Sequence, residues 1–171
     1  DRIIDGSGER LQLGGPPTYV SLISHLLGGS LLVATKVGGD FPNAYVSELA
    51  DRDLDINAFI VSNAKTTRFV LDYRSIERRL SLDSVCAPIE PNDIIGFPDS
   101  VILAPIAQEI PLETYFALES SCIGLDPQGF VRKMEPGGAI GLYPWRDLDL
   151  LRRVSVFKAS ERELSLIAGS E

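Results

Sequence analysis

The chain has 171 residues, of which 44% are hydrophobic and 23% charged, an ordinary composition for a globular protein. Its net charge of -8 argues against a nucleic-acid partner, because phosphate contacts require clustered Lys and Arg. No apolar run approaches the roughly 18 residues that span a bilayer, so a membrane partner is not expected either.

Two antiparallel hairpins are predicted in the first half of the chain. Short apolar segments on either side of the turn-forming residues 5–8 predict a hairpin over 2–13. A second hairpin is predicted over 66–85, where apolar and charged residues alternate. Such alternation is typical of a sheet with one solvated or partner-facing side. We therefore expect both hairpins in a small sheet, separate from the main one.

The segment between the hairpins has the pattern of an α/β protein. Apolar residues from Val20 to Leu27 recur at helical spacing, and Gly28-Gly29 ends that helix. Strands are predicted over 31–35 and 56–61, and Asp40 is a good N-cap for the helix between them.

The second half of the chain continues to alternate strands and helices, which indicates a mostly parallel sheet. The predicted elements are a strand at 101–106, a helix at 112–120, a strand at 122–125, a helix at 145–153, a strand at 154–157 and a helix from Ser160.

Four turns rich in glycine or acidic residues each lie between a predicted strand and a predicted helix. They are the segments 14–19, 37–40, 125–132 and 158–163. Open α/β sheets bind their ligands where strand ends meet helix starts, so these turns are the candidate site. None of them is a P-loop or a dinucleotide-binding fingerprint.

Each turn also has an interpretation that needs no ligand. Gly14-Gly15 lets the backbone approach a ligand closely, but a Gly-Gly pair taken by itself is more often only a tight turn. Asp126 and Gln128 require a ligand, a helix end or water, and Arg132 can pair with Asp126 or with a phosphate. The turn at 158–163 contains Ser160 and Glu163 at the spacing of a capping box.

The histidine and the cysteines give little sign of chemistry. His25 lies among apolar residues of a predicted helix, so we interpret it as a partly buried structural residue and expect no zinc site. Cys86 and Cys122 lack the spacing of a metal or redox motif, which predicts free buried thiols in a reducing cytoplasm.

Taken in order, these turns resemble those of the ribokinase-like sugar kinases, the PfkB family. Lys36-Val37-Gly38-Gly39-Asp40 matches a Lys-Val-Gly-x-Asp segment of the family. The segment 126–132 is similar to one in a subgroup that includes archaeal sugar kinases and inositol kinases. The resemblance implies one partial kinase domain over 1–171, with a three-layer α/β/α fold and a mostly parallel central sheet, incomplete here. The hairpins at 2–13 and 66–85 would form its small antiparallel β lid.

The resemblance also implies an activity, the ATP-dependent phosphorylation of a hydroxyl on a sugar, an inositol-like polyol or a nucleoside, with ATP and Mg²⁺ as cofactors. The substrate-binding residues it implies are Asp1, Gly14, Gly15, Tyr19, Asp40 and Gln128. Those implied near Mg-ATP are Arg132, Lys158, Ser160 and Glu163, with Glu163 reaching the metal through water. In two places the chain departs from the family, since Tyr19 and Ser160 each replace an Asn that many members carry.

The Gly-Ala-Gly-Asp segment of the family, with its catalytic Asp, is not among these residues. We therefore expect the catalytic residues beyond Glu171 and no activity from the chain as it stands. The partner implied is a small-molecule substrate. Because an isolated two-stranded hairpin is marginally stable, we also expect the apolar side of the lid to meet either this substrate or a second copy of the chain in a homodimer. Two alternatives remain open: a truncated, non-catalytic ribokinase-like binding or regulatory module, and an unrelated α/β nucleotide-binding domain without a separate lid.

Overall fold

The computed structural model describes residues 1–29, 31–52, 54–55, 59–94, 96 and 98–169; at 54, 55, 59–62 and 148 it describes the backbone alone. The chain divides into two compact units, an N-terminal unit Asp1–Ala87 and a C-terminal unit Pro88–Glu171. Among the described residues, no helix has the length and apolar composition that crossing a bilayer requires.

The N-terminal unit combines short strands with two helices. In chain order its elements are β1 (Arg2–Asp5), β2 (Gly8–Leu11), α1 (Pro16–Leu26), β3 (Leu31–Leu32), β4 (Thr35–Gly38), α2 (Asn43–Ala50), β5 (Leu54–Asp55), β6 (Phe59–Ser62), β7 (Arg68–Asp72) and β8 (Arg79–Ser84). Of the strand predicted over 56–61, residues 56–58 lie outside the described part of the chain.

Both predicted hairpins lie in one sheet of strand order β2-β1-β7-β8, as expected. Strands β1 and β2 are antiparallel, and so are β7 and β8. The sheet is nevertheless mixed rather than wholly antiparallel, because β1 runs parallel to β7 with Arg2 opposite Val70. Ile3, Phe69 and Leu82 share one face of this four-stranded sheet and are buried.

The remaining strands of this unit form two parallel pairs, β3 with β5 and β4 with β6. The strand predicted over 31–35 is thus two shorter strands, and the second of them, β4, extends into the predicted turn as far as Gly38. Val33 and Leu49 are buried against each other in a small core.

Helix α1 forms where predicted, but its apolar residues are not its buried face. Ile23 and Leu26 are more than half exposed, whereas Thr18 and Ser21 are buried. His25 is exposed, so the expectation of partial burial was wrong. Helical spacing identified the helix, but it did not tell which side the rest of the unit covers.

Asp40 does not cap helix α2, contrary to the prediction. The helix begins at Asn43, with Pro42 in extended conformation as its N-cap and no side-chain cap hydrogen bond. Asp40 lies two residues before Pro42, and its carboxylate is bound to residues of a different segment. A tertiary contact has therefore replaced the local capping interaction.

The C-terminal unit begins with a 3₁₀ turn at Pro91–Asp93. Its further elements are β9 (Ser100–Leu103), α3 (Leu112–Ala117), β10 (Cys122–Leu125), α4 (Gln128–Val131), β11 (Arg132–Met134), β12 (Ile140–Leu142), α5 (Leu148–Leu151), β13 (Val156–Phe157) and α6 (Glu161–Ala168).

A parallel sheet of order β13-β10-β9 organises this unit. Leu103 and Ile123 pack with the fully buried Tyr115 and Leu150 in the larger core. The sequence prediction missed the short helix α4 and the hairpin of β11 and β12. It also made the helix predicted over 145–153 too long, since Trp145 instead stacks on Phe130 with ring centroids 4.9 Å apart.

Candidate functional site

Asp1 lies directly against the Gly-Gly turn that precedes α1. Its Oδ1 accepts the backbone N–H of Phe69 at 3.2 Å. A Cβ atom at Gly14 would overlap the Asp1 carboxylate, so the close approach requires glycine there. The structure thereby brings together two residues that the sequence analysis placed in the same substrate site.

Gly15 is the N-cap of α1 and has a φ of 81°, a conformation that favours glycine over any other residue. Thr18 secures the turn, because its Oγ1 donates to the carbonyl of Gly14 at 2.8 Å and its N–H to that of Gly15 at 3.2 Å. The N-terminal end of an 11-residue helix, where the helix dipole is positive, therefore begins at this turn.

Tyr19, on the exposed side of α1, lines a cavity of about 400 Å³ in the N-terminal unit. This volume is within the range of small-molecule sites. The lining is mixed and includes the ion pair of Arg52 with Glu48, whose closest atoms are 2.5 Å apart. The full lining is Leu11, Gln12, Leu13, Thr18, Tyr19, Leu22, Tyr45, Glu48 and Arg52.

Both carboxylate oxygens of Asp40 accept hydrogen bonds from residues at or just before the start of β7. Oδ1 accepts the N–H and the Oγ1 hydroxyl of Thr66, each at 2.8 Å, and Oδ2 accepts from Nη2 of Arg68 at 3.1 Å. The backbone N–H of Thr66 is the main cause that lowers the pKa of Asp40, and Arg68 adds to it. Gly38 is required here too, since a Cβ would lie 2.5 Å from the Thr66 nitrogen.

Asp1 and Asp40 are therefore bound to the same short stretch of backbone, Thr66 to Phe69. We call Asp1, Gly14, Gly38, Asp40, Thr66, Arg68 and Phe69 the Asp1 cluster. Sequence analysis missed Thr66 and Arg68, because Arg68 belongs to an alternating charged strand that looked like a solvated face.

In the C-terminal unit, Asp126 joins the turn after β10 to the turn after β13. Its Oδ1 accepts the N–H of Gln128 at 3.2 Å, and its Oδ2 accepts from Nζ of Lys158 at 2.8 Å. The hydrogen bond to Asp126 raises the pKa of Lys158 above its usual value, so this side chain stays cationic at neutral pH. Two of the predicted turns are thus in contact.

Ser160 and Glu163 form the predicted capping box at the start of α6. Oε2 of Glu163 accepts the Ser160 N–H at 2.7 Å, and the Ser160 hydroxyl accepts the Glu163 N–H at 3.3 Å. Burial works to raise the pKa of Glu163, but these hydrogen bonds and the charges of Lys158 and Arg132 hold it below the usual value. Glu163 is therefore a buried carboxylate that stays ionised.

Glu109 is a further polar residue of this unit that the sequence analysis missed. Its carboxylate accepts the N–H groups of Ile106 at 2.8 Å and Ala107 at 2.6 Å, in the connection that follows β9. Burial raises its pKa, which the hydrogen bonds and Arg132 counteract. The sequence signal was weaker than at Asp126, because Glu109 comes six residues after the end of β9, whereas Asp126 directly follows β10.

We call Glu109, Asp126, Arg132, Lys158, Ser160 and Glu163 the Lys158 cluster. Gly129 fixes one of its connections, since its N–H donates to the Pro105 carbonyl at 2.7 Å and a Cβ would lie 2.6 Å from the Pro105 carbonyl carbon. Among the described residues, no group of three or more His, Cys, Asp or Glu side chains could hold a metal ion.

Comparison with known proteins gives matches only among solved structures. No protein-family model matches the sequence, and no curated protein does. The chain is similar to a sulfate complex of a pyrophosphate-dependent kinase in the ribokinase family, with 24% identity and a TM-score of 0.85 over 99% of this chain and 61% of that one. A pyrophosphate-dependent kinase in the ribokinase family complexed with a pyrophosphate analog and myo-inositol matches with 24% identity, a TM-score of 0.81, and 99% and 62% coverage.

A ribokinase from Thermotoga maritima also matches, with 12% identity and a TM-score of 0.62 over 96% of this chain and 57% of the ribokinase. The chain is thus an α/β protein with the fold of a kinase. That fold is the one of the ribokinase-like, or PfkB, kinases, as the sequence resemblance implied. The chain spans about three-fifths of the length of these structures.

Proposed function

We propose that this chain supplies the acceptor-binding and donor-binding parts of a kinase that phosphorylates a hydroxyl of a polyol or sugar. The observation that carries the proposal is the Asp1 carboxylate held against the Gly14-Gly15 turn. An ionised carboxylate has about four sites for accepting hydrogen bonds, so Asp1 keeps capacity for substrate hydroxyls beside its bond to Phe69. The glycine turn lets a ring come close to the backbone.

An inositol-like polyol is the acceptor class we favour over a nucleoside. One of the similar kinases is complexed with myo-inositol. In the proposed site Asp1 and the turn bind the hydroxyls, while Tyr19, which follows on helix α1, contributes a further contact. The four-stranded sheet would act as a lid that excludes water from the bound acceptor.

The Lys158 cluster is the proposed donor side, because Lys158 and Arg132 bring two cations to the start of helix α6. The sequence resemblance implies ATP, whereas two similar structures are pyrophosphate-dependent kinases. Both donors carry a terminal phosphoryl group joined through a phosphoanhydride bond, and cations such as these can bind its negatively charged oxygens. Mg²⁺, held through water by Glu163, would neutralise charge on the transferred phosphoryl group.

The proposal is tested with the full-length native protein, not with residues 1–171 alone, in an assay of donor-dependent phosphorylation. Inositols, hexoses, pentoses and nucleosides are each offered with ATP or pyrophosphate, with Mg²⁺ or with EDTA. We expect turnover of a polyol or sugar that EDTA abolishes. Asp1→Asn should lower kcat/KM for the acceptor at least about tenfold, whereas Asp5→Asn, a carboxylate bound to Ser7 in the β1–β2 turn, should not.

Two results would refute the proposal. One is the absence of phosphorylation with every acceptor and donor, which together with ligand binding in a thermal-shift screen would favour the non-catalytic module. The other is equal activity of the Asp1 and Asp5 variants. On the donor side, Lys158→Met should raise the donor KM, while Lys133→Met, whose ammonium lies over the Tyr143 ring, serves as the control.

We also propose that the protein works in the cytoplasm as a homodimer through the four-stranded sheet. The exposed apolar residues Leu11, Tyr73 and Ile76 on and beside its strands support this arrangement. Light scattering during size exclusion should give twice the monomer mass, and Ile76→Asp should lower it. A monomer at all concentrations would refute the dimer.

A further inference from the structure

Asp40 is already satisfied within the protein, which distinguishes it from Asp1. Thr66 occupies Oδ1 with two hydrogen bonds, and Arg68 occupies Oδ2. Arg68 in turn lies 3.8 Å from the more exposed carboxylate of Asp83. The carboxylate of Asp40 therefore faces a strand of the four-stranded sheet, and its charge is already balanced there.

Thr66 is the residue through which Asp40 reaches that sheet. Its Oγ1 accepts the N–H of Gly38 at 2.9 Å while donating to Asp40, and its carbonyl accepts from the Ser84 hydroxyl at 2.7 Å. Four hydrogen bonds thus tie one residue to the turn after β4 and to the end of β8. Replacing Thr66 by Val removes its hydroxyl and keeps its methyl group, whereas replacing it by Ser does the reverse. The contribution of the hydroxyl to this junction can therefore be tested by itself.

The backbone that Thr66 anchors also holds Asp1. Phe69, three residues later, donates its N–H to Asp1 Oδ1. The pairing of β7 with β8 shifts register between Arg68 and Phe69, an irregularity of the β-bulge kind. Such irregularities often redirect a backbone group next to a functional site.

We propose that Asp40 and Thr66 are positioning residues, which fix the start of β7 so that the Phe69 amide holds the Asp1 carboxylate against the Gly14 turn. The inference rests on the proposed function for its kinetic consequence. Asp40 then governs acceptor affinity without contacting the acceptor, in contrast to the direct contact that the family resemblance implies.

The experiment combines kinetics with amide hydrogen exchange in the native protein. Thr66→Val removes the hydroxyl, keeps the shape, and should raise the acceptor KM about tenfold while changing the donor KM less than about twofold. Exchange at the Phe69 amide should become about tenfold faster, because its local anchor is lost. Thr66→Ser, which keeps the hydroxyl, should restore both values.

The double variant Asp40→Asn with Thr66→Val should cost no more than the worse single variant, because the two act as one unit. Thr67→Val is the matched control. It deletes the neighbouring hydroxyl, which accepts the Cys86 N–H at 2.9 Å, and should leave both the acceptor KM and the Phe69 exchange unchanged. Should Thr66→Val fail to fold, Ser84→Ala tests the same junction from β8.

Phe69 exchange that is the same in the Thr66 and Thr67 variants would overturn the inference. So would additive losses in the double variant, since these indicate that Asp40 contacts the acceptor itself. If no acceptor is phosphorylated, the proposed function fails, yet the exchange measurement still decides whether Thr66 anchors Phe69.

Discussion

Replacing Gly129 by Ala should destabilise the C-terminal unit. Gly129 lies in helix α4, directly after Gln128, and its position packs against the connection that follows β9. An added methyl would meet the Pro105 carbonyl carbon at 2.6 Å and the Ile106 nitrogen at 2.8 Å. Because Pro105 is fully buried and its carbonyl is bonded to the Gly129 N–H, these atoms are not free to give way.

The size of the effect follows from the overlap. Nonbonded carbon atoms prefer about 3.5 to 4 Å, so the two backbones must separate by about 1 Å. Overpacking of this kind costs about 1 to 3 kcal/mol. Since 1 kcal/mol lowers Tm by about 2 to 4 °C in a protein of about this size, a cost near 2 kcal/mol should lower it by about 4 to 8 °C.

Urea titration followed by circular dichroism measures this loss, with thermal melting as a second measurement. Gly124→Ala is the matched control in the same unit, because a methyl there would make ordinary contact with Ile102 at 3.6 Å. Equal stability of the two variants would show that the backbone at Pro105 yields, and the packing argument would then be wrong.

Three further predictions concern hydrogen bonds. Tyr115→Phe removes the hydroxyl that donates to the Leu150 carbonyl at 2.5 Å. Because the backbone N–H of Arg153 also donates to that carbonyl, the free energy of unfolding in urea should fall by only about 1 kcal/mol. An unchanged urea midpoint would contradict this prediction. Ser160→Ala should cost about 1 kcal/mol by the same measurement, whereas Ser165→Ala, inside α6, should cost little. The folded pKa of Asp40 is below its ordinary 3.8, so Asp40 contributes stability above that pH, lost as the pH falls through the folded value. The stability difference between the wild type and Asp40→Asn should therefore be constant at neutral pH and shrink below about pH 4; a difference that persists in acid would count against it.

Features governed by neighbouring residues could be predicted from the sequence. The alternation in 66–85 gave the β7–β8 hairpin, and the spacing of Ser160 and Glu163 gave the capping box. The hairpin of β11 and β12 was not predicted, because strands of three residues are too short to show the alternation of apolar and polar residues, although Gly137-Gly138 marks its turn.

Features governed by distant residues could not be predicted from the sequence. Asp40 satisfies the local rule for a helix cap, yet its carboxylate is bound by Thr66 and Arg68, 26 and 28 positions away. The exposed side of α1 could not be predicted for the same reason. Periodicity defines an apolar stripe on the helix, but it does not tell which part of the protein packs against that stripe. Within the Asp1 cluster, the sequence analysis named Asp1, Gly14 and Asp40 as candidates and predicted the 66–85 hairpin, but it did not predict the contacts of Thr66, Arg68 and Phe69 that connect them.

The parallel pairing of β1 with β7 has a consequence for the order of folding. Within its own hairpin Arg2 pairs with Leu11, which is 9 residues away along the chain. Its partner in β7, Val70, is 68 residues away. Lengthening the closed loop by nearly three doublings adds about 1.8 kcal/mol of entropy cost. On a ribosome the β1–β2 hairpin emerges before β7 and β8 and remains marginal by itself, so this sheet should form only after residue 84 has left the exit tunnel.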